Sequence, residues 1–355
     1  MNINPLKIGN LSSRLPIIQG GMGVGVSLSG LASAVTNAGG IGVISSAQIG
    51  FREDNFEDDS INCNLRALKN EIKLAKEKCN NGILGVNIMV ATKGYAEYIK
   101  TAVDSGIDII ISGAGLPTML PKLVKDSKVK IAPIVSSLKA AKVILKLWDK
   151  HDKTTADMVV IEGPKAGGHL GFNADNLDEE QSKFDETITS IIEEVKKYAL
   201  KYSKEIPVIV AGGVFDGNDI AKYLNLGANG VQMATRFVAT EECDASIEFK
   251  KAYINAKKKD ISIVKSPVGM PGRALLNPFV ERTKLGKIKI TKCFNCLTPC
   301  NPADTPYCIT KALINAVNGN LNEGLIFCGE NAYKIDKLST VKEIMDELEA
   351  DLLKS

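Results

Sequence analysis

A single histidine within a glycine-rich segment is the strongest candidate for a catalytic group. His169 is one of two histidines in the chain, and the stretch from Gly163 to Gly171 holds four glycines and one proline. The apolar run 158–161 before it is typical of a short buried strand. Glycines let backbone approach a ligand closely, and histidine exchanges protons near neutral pH. The segment indicates either a catalytic loop at a strand end or an ordinary turn with an incidental histidine.

Other apolar runs also end in glycine or polar residues. Each of these endings alone is compatible with a tight turn or a helix cap. Together they form a candidate binding set: Gln19-Gly20-Gly21-Met22-Gly23, Asn87, Ser112-Gly113, Glu162, Gly167-Gly168, Gly212-Gly213 and Gln232-Met233-Ala234-Thr235.

The chain that supports these residues alternates short apolar strands with amphipathic helices. The predicted strands are 16–19, 42–45, 84–88, 108–112, 130–135, 158–162, 207–211 and 230–233. Eight such repeats predict an α/β fold, a (β/α)8 TIM barrel, rather than a doubly wound open sheet. Functional loops of a barrel lie at the carboxyl ends of its strands. The candidate residues should therefore meet at one mouth.

Two of these endings form a candidate phosphate site. Gly212-Gly213 follows the seventh predicted strand, and Ala234-Thr235 follows the eighth. We call these pairs the phosphate loops. Barrels that bind phosphate commonly do so at these two positions, through backbone N–H groups and a helix N-terminus. FMN, with one terminal phosphate, is the ligand that this arrangement favours. Two ordinary strand ends are the alternative.

The ordered motifs resemble those of the nitronate monooxygenase family, formerly called 2-nitropropane dioxygenases. That family also includes the flavin-dependent enoyl-acyl-carrier-protein reductase II. The resemblance implies that the loop 19–23 lies against the flavin ring, that Asn87 contacts the flavin, and that His169 sits above it. This chain departs from the family pattern at two positions. It has Gly113 where a bulky residue commonly follows the serine, and Ala234 where the family usually has glycine.

The resemblance implies an FMN-dependent oxidoreductase that converts alkyl nitronates and O2 to a carbonyl compound and nitrite. The segment Ser266–Arg273 is similar to one that follows the barrel in nitronate monooxygenases, although a proline-rich surface turn would have the same composition. It favours this activity over NAD(P)H-dependent reduction of an enoyl thioester. A flavin-binding protein without turnover is the alternative of another class.

Composition excludes several kinds of partner. The 355 residues carry 44 basic and 41 acidic side chains, a net charge of +3, which gives no electrostatic case for nucleic acid or an acidic membrane. No apolar run approaches the roughly 18 residues of a membrane span. The amino terminus lacks a signal-peptide core, which favours a cytoplasmic protein. Assembly into a homo-oligomer is compatible with the sequence, but no interface stripe identifies it.

We predict three regions. Residues 1–240 form the FMN-binding barrel, 241–330 a helix and cap region beside its mouth, and 331–355 a C-terminal segment with an amphipathic helix. The polar, acidic stretch 47–61 is long for a loop in a compact fold and could act as a lid.

Four late cysteines have a spacing that metal sites also use. Cys293, Cys296, Cys300 and Cys308 follow the pattern C-x2-C-x3-C-x7-C. This spacing is similar to the cluster motif appended to some other flavin barrels, with a shorter last gap, and zinc is a further alternative. Because Cys308 also begins an apolar helical pattern, the sequence favours reduced thiols packed in the cap. We therefore expect no metal site.

Overall fold

The computed structural model describes residues 3–354. Its strands are β1 (Leu6–Ile8), β2 (Leu11–Ser13), β3 (Ile17–Gln19), β4 (Gly42–Ser45), β5 (Leu84–Met89), β6 (Ile109–Gly113), β7 (Lys130–Val135), β8 (Val159–Glu162), β9 (Gly168–His169), β10 (Val208–Ala211), β11 (Gly230–Met233), β12 (Ile261–Lys265) and β13 (Pro271–Leu275). Its helices are α1 (Ser29–Asn37), α2 (Ser60–Lys78), α3 (Tyr95–Asp104), α4 (Leu120–Leu123), α5 (Leu138–Asp152), α6 (Leu177–Ser182), α7 (Phe184–Lys201), α8 (Gly217–Asn225), α9 (Thr235–Val238), α10 (Ile247–Ile254), α11 (Pro278–Leu285), α12 (Ile309–Val317) and α13 (Val341–Lys354).

Within the described residues, eight parallel strands form one sheet in the order β3-β11-β10-β8-β7-β6-β5-β4. The sheet closes because Ile18 bridges Ile41, just before β4, and the Gln19 N–H donates to the Ile41 carbonyl at 2.9 Å. The predicted (β/α)8 barrel is confirmed. The strands read as nearly continuous apolar runs because both of their faces are covered.

Apolar side chains fill the barrel interior. Ile18, Val43, Ile111, Val160 and Ile209 belong to one buried cluster. The antiparallel hairpin β1–β2 adds Leu6 and Ile8 to the same cluster. The barrel is therefore a packed core rather than a pore.

The last helix completes the outer ring. α13 packs between α8 and α1, and its Val341, Met345 and Leu348 belong to the buried core shared with the other barrel helices. The last barrel strand, β11, ends at Met233, and residues 341–354 return to the barrel after the cap. Local sequence could not show this return, because helix docking depends on partners more than 100 residues away.

The intervening residues build the cap. α10, the hairpin β12–β13, α11 and α12 share a second apolar core. Phe56 stacks on Phe294 with ring centroids 5.6 Å apart, and Phe51 and Phe56 are both buried in this core. The stretch 47–61, which the sequence suggested as a lid, is packed beneath the cap in this structure, and α2 begins within it at Ser60.

Candidate functional site

A cavity of about 490 Å³ opens where the barrel strands end and the cap covers them. The loops after the barrel strands supply most of the predicted residues in its wall. These are Gly20, Gly21, Met22, Gly23, Asn87, Gly113, Glu162, Gly167, Gly168, His169, Gly212, Gly213, Gln232, Met233, Ala234 and Thr235.

Two predicted residues stand behind the wall. Gln19 is fully buried, and its side-chain carbonyl accepts a hydrogen bond from the Val43 N–H at 3.1 Å. Ser112 is also fully buried, and its hydroxyl donates to the Ile88 carbonyl at 2.7 Å. Neither belongs to the cavity lining, so their direct contact with a cofactor is not supported. Their hydrogen bonds instead fix the loops that do form the wall.

The phosphate loops meet at one end of the cavity. Gly212 and Gly213 have φ values of +94° and +86°, and a side chain at Gly212 would come within 2.8 Å of the Gly163 carbonyl oxygen. Among residues 3–354, no group accepts a hydrogen bond from the backbone N–H of Gly212, Gly213, Ala234 or Thr235. Unpaired N–H groups lining a concave site are suited to an anion.

The departure at Ala234 does not place a side chain on left-handed backbone. Its φ is −129°, a value that any residue adopts. The N–H group that a glycine would supply is therefore retained.

A segment from the far side of the cap covers the phosphate loops. We call residues 327–331 the closing strap. The Gly329 N–H donates to the Thr235 hydroxyl at 3.0 Å, and the Asn331 amide donates to the Gly213 carbonyl at 2.6 Å. Glu330 lies 3.6 Å from the Lys165 ammonium. Both side chains of this ion pair line the cavity beside the loops, and Lys165 supplies a cation there. No sequence motif marks the strap, so it could not be predicted from the sequence.

At another part of the cavity wall, a cap hairpin holds His169. β13 pairs antiparallel with β9, with Gly272 opposite His169 and Arg273 opposite Gly168. The His169 Nε2 lies 2.6 Å from the Ser266 hydroxyl, and Ser266 is buried. Segment 266–273, which sequence alone could not separate from a surface turn, is therefore part of the site.

The environment of His169 favours its neutral form. Burial lowers the pKa of the imidazole to about 4. Its ring also meets Phe327 of the closing strap edge to face, with centroids 5.0 Å apart. No described residue hydrogen-bonds to Nδ1, so the ring can exchange a hydrogen bond with a ligand there.

A second titratable group ends β8. Burial raises the pKa of Glu162 to about 7. Its carboxyl belongs to the cavity wall and has no hydrogen-bond or ion-pair partner among the described residues. A buried carboxyl left unpaired costs free energy. A polar ligand group would remove that cost.

An apolar extension continues beneath the cap. Side chains from the first barrel loop, α10, α12, the strap and the segment just before the strap line it: Val24, Val26, Phe249, Tyr253, Ile309, Leu313, Leu325 and Phe327. The cavity thus has an anion-binding end, a histidine, and an apolar region.

Comparison with known proteins decides the family. The sequence profile of the nitronate monooxygenase family matches residues 4–351. The chain belongs to the nitronate monooxygenase family. Its relatives include a probable nitronate monooxygenase of Staphylococcus saprophyticus, 26% identical over 310 residues that span 79% of this chain and 81% of the relative.

The chain is also similar to proteins named for other reactions. A Rhodococcus jostii (3aS,4S,5R,7aS)-5-hydroxy-7a-methyl-1-oxo-octahydro-1H-indene-4-carboxyl-CoA dehydrogenase is 25% identical, covering 96% of this chain and 93% of that protein. FabK of Thermotoga maritima superposes with a TM-score of 0.72 at 26% identity, covering 96% and 93% of the two chains. A nitroalkane oxidase of Streptomyces ansochromogenes shares the fold, with a TM-score of 0.72 at 19% identity and 96% of each chain covered.

These relatives establish the general activity. Members of this family are oxidoreductases that act on small molecules and generally use flavin, so this chain is an enzyme of that class. The alternative of a flavin-binding protein without turnover is set aside. In the part of the chain that the structure covers, no helix is long and apolar enough to cross a bilayer.

Proposed function

We propose that the protein binds FMN and oxidises alkyl nitronates with O2, giving a carbonyl compound and nitrite. The phosphate loops are the observation that carries this proposal. Their four unpaired N–H groups lie together at one end of the cavity, with Lys165 nearby. A mononucleotide presents one terminal phosphate, and burying its charge there requires such donors.

The remaining wall residues suit the rest of the cofactor. In this proposal Gly212, Gly213, Ala234 and Thr235 hold the phosphate, and the loop 20–23 with Asn87 lies along the ring. Glu162 and Gln232 offer polar groups between these ends, and Gly113, Gly167 and Gly168 keep the wall open. Bound FMN would supply the redox chemistry, and the protein supplies orientation and electrostatics.

His169 is the proposed catalytic residue. A nitronate is anionic, and the N–H group of a neutral imidazole can donate a hydrogen bond to its oxygen atoms. If the Ser266 hydroxyl donates to Nε2, the imidazole proton is on Nδ1 and available to the substrate. The ring can thus bind the anionic nitro oxygens and manage a proton while the buried site limits access of water.

The decisive experiment begins with the spectrum of the purified protein. We expect a flavin spectrum, release of FMN on denaturation, and nitrite formation when an alkyl nitronate is added in air. Propionate-type or alkyl nitronates should turn over faster than NADH reduces the flavin anaerobically. Colourless protein that does not take up FMN would contradict the cofactor proposal.

Reduction of an enoyl thioester is the second candidate. The apolar extension favours it, because an acyl chain could pack against Phe249, Leu313 and Leu325. In that reaction NAD(P)H would be the reductant, bound flavin would supply the hydride chemistry, and His169 assists protonation at the α-carbon. Rapid reduction by NADH with turnover of a crotonyl thioester, and no nitronate reaction, would make this the correct activity.

A further inference from the structure

Lys165 is the only lysine or arginine among the described residues that line the cavity, where Glu162 and Glu330 are the acidic ones. A phosphate monoester carries about 1.5 to 2 negative charges at neutral pH. Burying that charge is costly unless it is paired and hydrogen-bonded. The N–H groups of the phosphate loops supply hydrogen bonds but no full charge. Because burial keeps His169 neutral, the positive charge that the wall can offer a phosphate comes from Lys165.

The stem of Lys165 lies against the phosphate loops. A methyl group at Gly213 would come within 2.8 Å of the Lys165 Cβ and 3.1 Å of its Cδ, so the side chain runs over the backbone of this glycine. Gly213 is one of the four residues whose N–H has no acceptor among residues 3–354. The lysine stem is flexible, and its ammonium carries three rotatable donors. A change of rotamer can therefore turn the ammonium toward an anion that these N–H groups bind.

A carboxylate of the closing strap holds the ammonium in this structure. The Lys165 Nζ lies 3.6 Å from the Glu330 Oε1, and both side chains are 37% exposed. Ion pairs this exposed are weak. A phosphate carries more charge than a carboxylate and accepts short, charge-assisted hydrogen bonds. It can therefore compete with Glu330 for the ammonium.

Glu330 has a second cation that keeps it in place. Its Oε2 lies 3.7 Å from the guanidinium of Arg273, a residue that is only 6% exposed. This guanidinium also donates to the carbonyls of Pro164 and Ala166 at 2.8 and 2.5 Å. The Glu330 N–H donates to the Lys165 carbonyl at 3.2 Å. The strap is thus held by contacts that do not involve the Lys165 ammonium, and it can stay closed when the ammonium turns away.

We propose that Lys165 exchanges its ion pair with Glu330 for one with the phosphate of the bound flavin, and that it thereby makes the site selective for FMN over riboflavin. This inference rests on the proposed binding of FMN. The N–H groups of the phosphate loops give the phosphate its position, and Lys165 supplies the charge that riboflavin, which lacks the phosphate, cannot use. Glu330 opposes the exchange, because it competes for the ammonium and repels the phosphate.

Titration of the flavin-free full chain with FMN and, separately, with riboflavin tests the proposal, with flavin fluorescence as the readout. We expect the wild type to bind FMN more tightly than riboflavin. Lys165→Gln should weaken FMN binding about 10- to 100-fold, the contribution of one charged hydrogen bond, and leave riboflavin binding unchanged. Lys165→Arg keeps the charge and should keep most of the preference. Glu330→Gln should bind FMN more tightly than the wild type does, again with riboflavin unchanged.

Lys183 and Glu179 provide the matched control. They form another exposed ion pair, with 2.5 Å between Nζ and Oε1, and neither belongs to the cavity wall. Lys183→Gln and Glu179→Gln change the charge of the chain by the same amounts as the two test variants. Both should leave the affinities for FMN and riboflavin unchanged.

A purely structural role for the ion pair predicts a different result. If the pair only braces the strap, Lys165→Gln and Glu330→Gln should both weaken binding, and FMN and riboflavin should be affected alike. That result, or an FMN preference that survives in Lys165→Gln, would overturn this inference and leave the FMN proposal intact. Wild-type protein that binds neither flavin would overturn the FMN proposal and this inference together.

Discussion

The two ends of the cavity are assembled from different kinds of chain segment. At the phosphate end, the loops directly follow β10 and β11 and present backbone N–H groups. At the histidine end, His169 lies on β9 outside the barrel sheet, and residues about 100 positions later in the sequence hold it in place. The first end is part of the barrel itself. The second end exists only when the cap is docked.

This difference predicts different sensitivities. A backbone site in a closed barrel should be broken by a side chain that fills it and should tolerate changes in the cap. A histidine held by β12–β13 should respond to changes in that hairpin that leave flavin binding intact. The closing strap links the two ends, since Phe327 meets His169 while Gly329 and Asn331 bond to the phosphate loops.

The largest effect is expected for Gly213→Asp. Any side chain here would be strained at a φ of +86° and would come within 2.8 Å of the Lys165 Cβ. A carboxylate would also repel phosphate. We expect loss of bound flavin, measured by absorbance and by FMN released on denaturation. Gly286→Asp is the control, because Gly286 has a φ of +146° with no atoms near its Cβ position. Equal flavin loss in both variants would refute a specific phosphate site.

Next in size is His169→Ala. Loss of a general acid–base group typically lowers turnover by about 100- to 10,000-fold, while the phosphate end should keep its flavin. Steady-state turnover with the true substrate and the flavin content measure the two ends separately. His151→Ala at the end of α5 removes the other histidine and should be nearly silent. If His169→Ala kept nearly full activity, His169 would not be a catalytic residue and its role would be structural.

Glu162 should make stability depend on pH. Its pKa is about 7 in the fold, against an ordinary value of 4.5. Below pH 4.5 the carboxyl is protonated in both the folded and the unfolded chain, and the fold keeps its full stability. As the pH rises from 4.5 through about 7 this stability is lost, because the unfolded chain ionises the carboxyl more easily than the folded chain does. In urea unfolding of flavin-free protein, we expect the free energy of unfolding of the wild type to fall by about 3 kcal/mol relative to that of Glu162→Gln across this range.

His169 makes stability depend on pH in the opposite direction. This dependence is shared by the wild type and Glu162→Gln, so it cancels when their free energies of unfolding are compared. The lowered pKa of His169 makes the fold more stable as the pH rises from about 4 to 6.5. The exposed Glu205→Gln is the control variant. A difference between wild type and Glu162→Gln that does not change with pH would show that the carboxyl is not buried as described.

The smallest effect is expected for Ser266→Ala. Removing its contact with Nε2 frees the ring to rotate or change tautomer. A hydrogen bond of this kind contributes about 1 kcal/mol, so turnover should fall roughly five- to tenfold with flavin retained. Ser262→Ala on β12, whose hydroxyl bonds only to the Ile263 carbonyl, should not change turnover. Flavin loss in Ser266→Ala would mean that the two ends are not independent.

Local sequence was sufficient for the barrel. The predicted strands 42–45, 130–135 and 230–233 coincide with β4, β7 and β11, and the other barrel strands are within one residue of their predicted limits. These strands are short, apolar on both faces and ended by glycine or polar residues, so their pattern does not depend on distant partners.

By itself, the sequence determined the barrel strands, the family motifs and which residues stand at the strand ends. Only the tertiary structure decided that β13 pairs with β9, that the strap covers the phosphate loops, and that α13 completes the helical ring. It also shows that Gln19 and Ser112 lie behind the cavity wall and not in its lining. Each of these outcomes depends on contacts between segments far apart in the chain, and neither periodicity nor turn chemistry encodes such contacts, because both describe neighbours within one element.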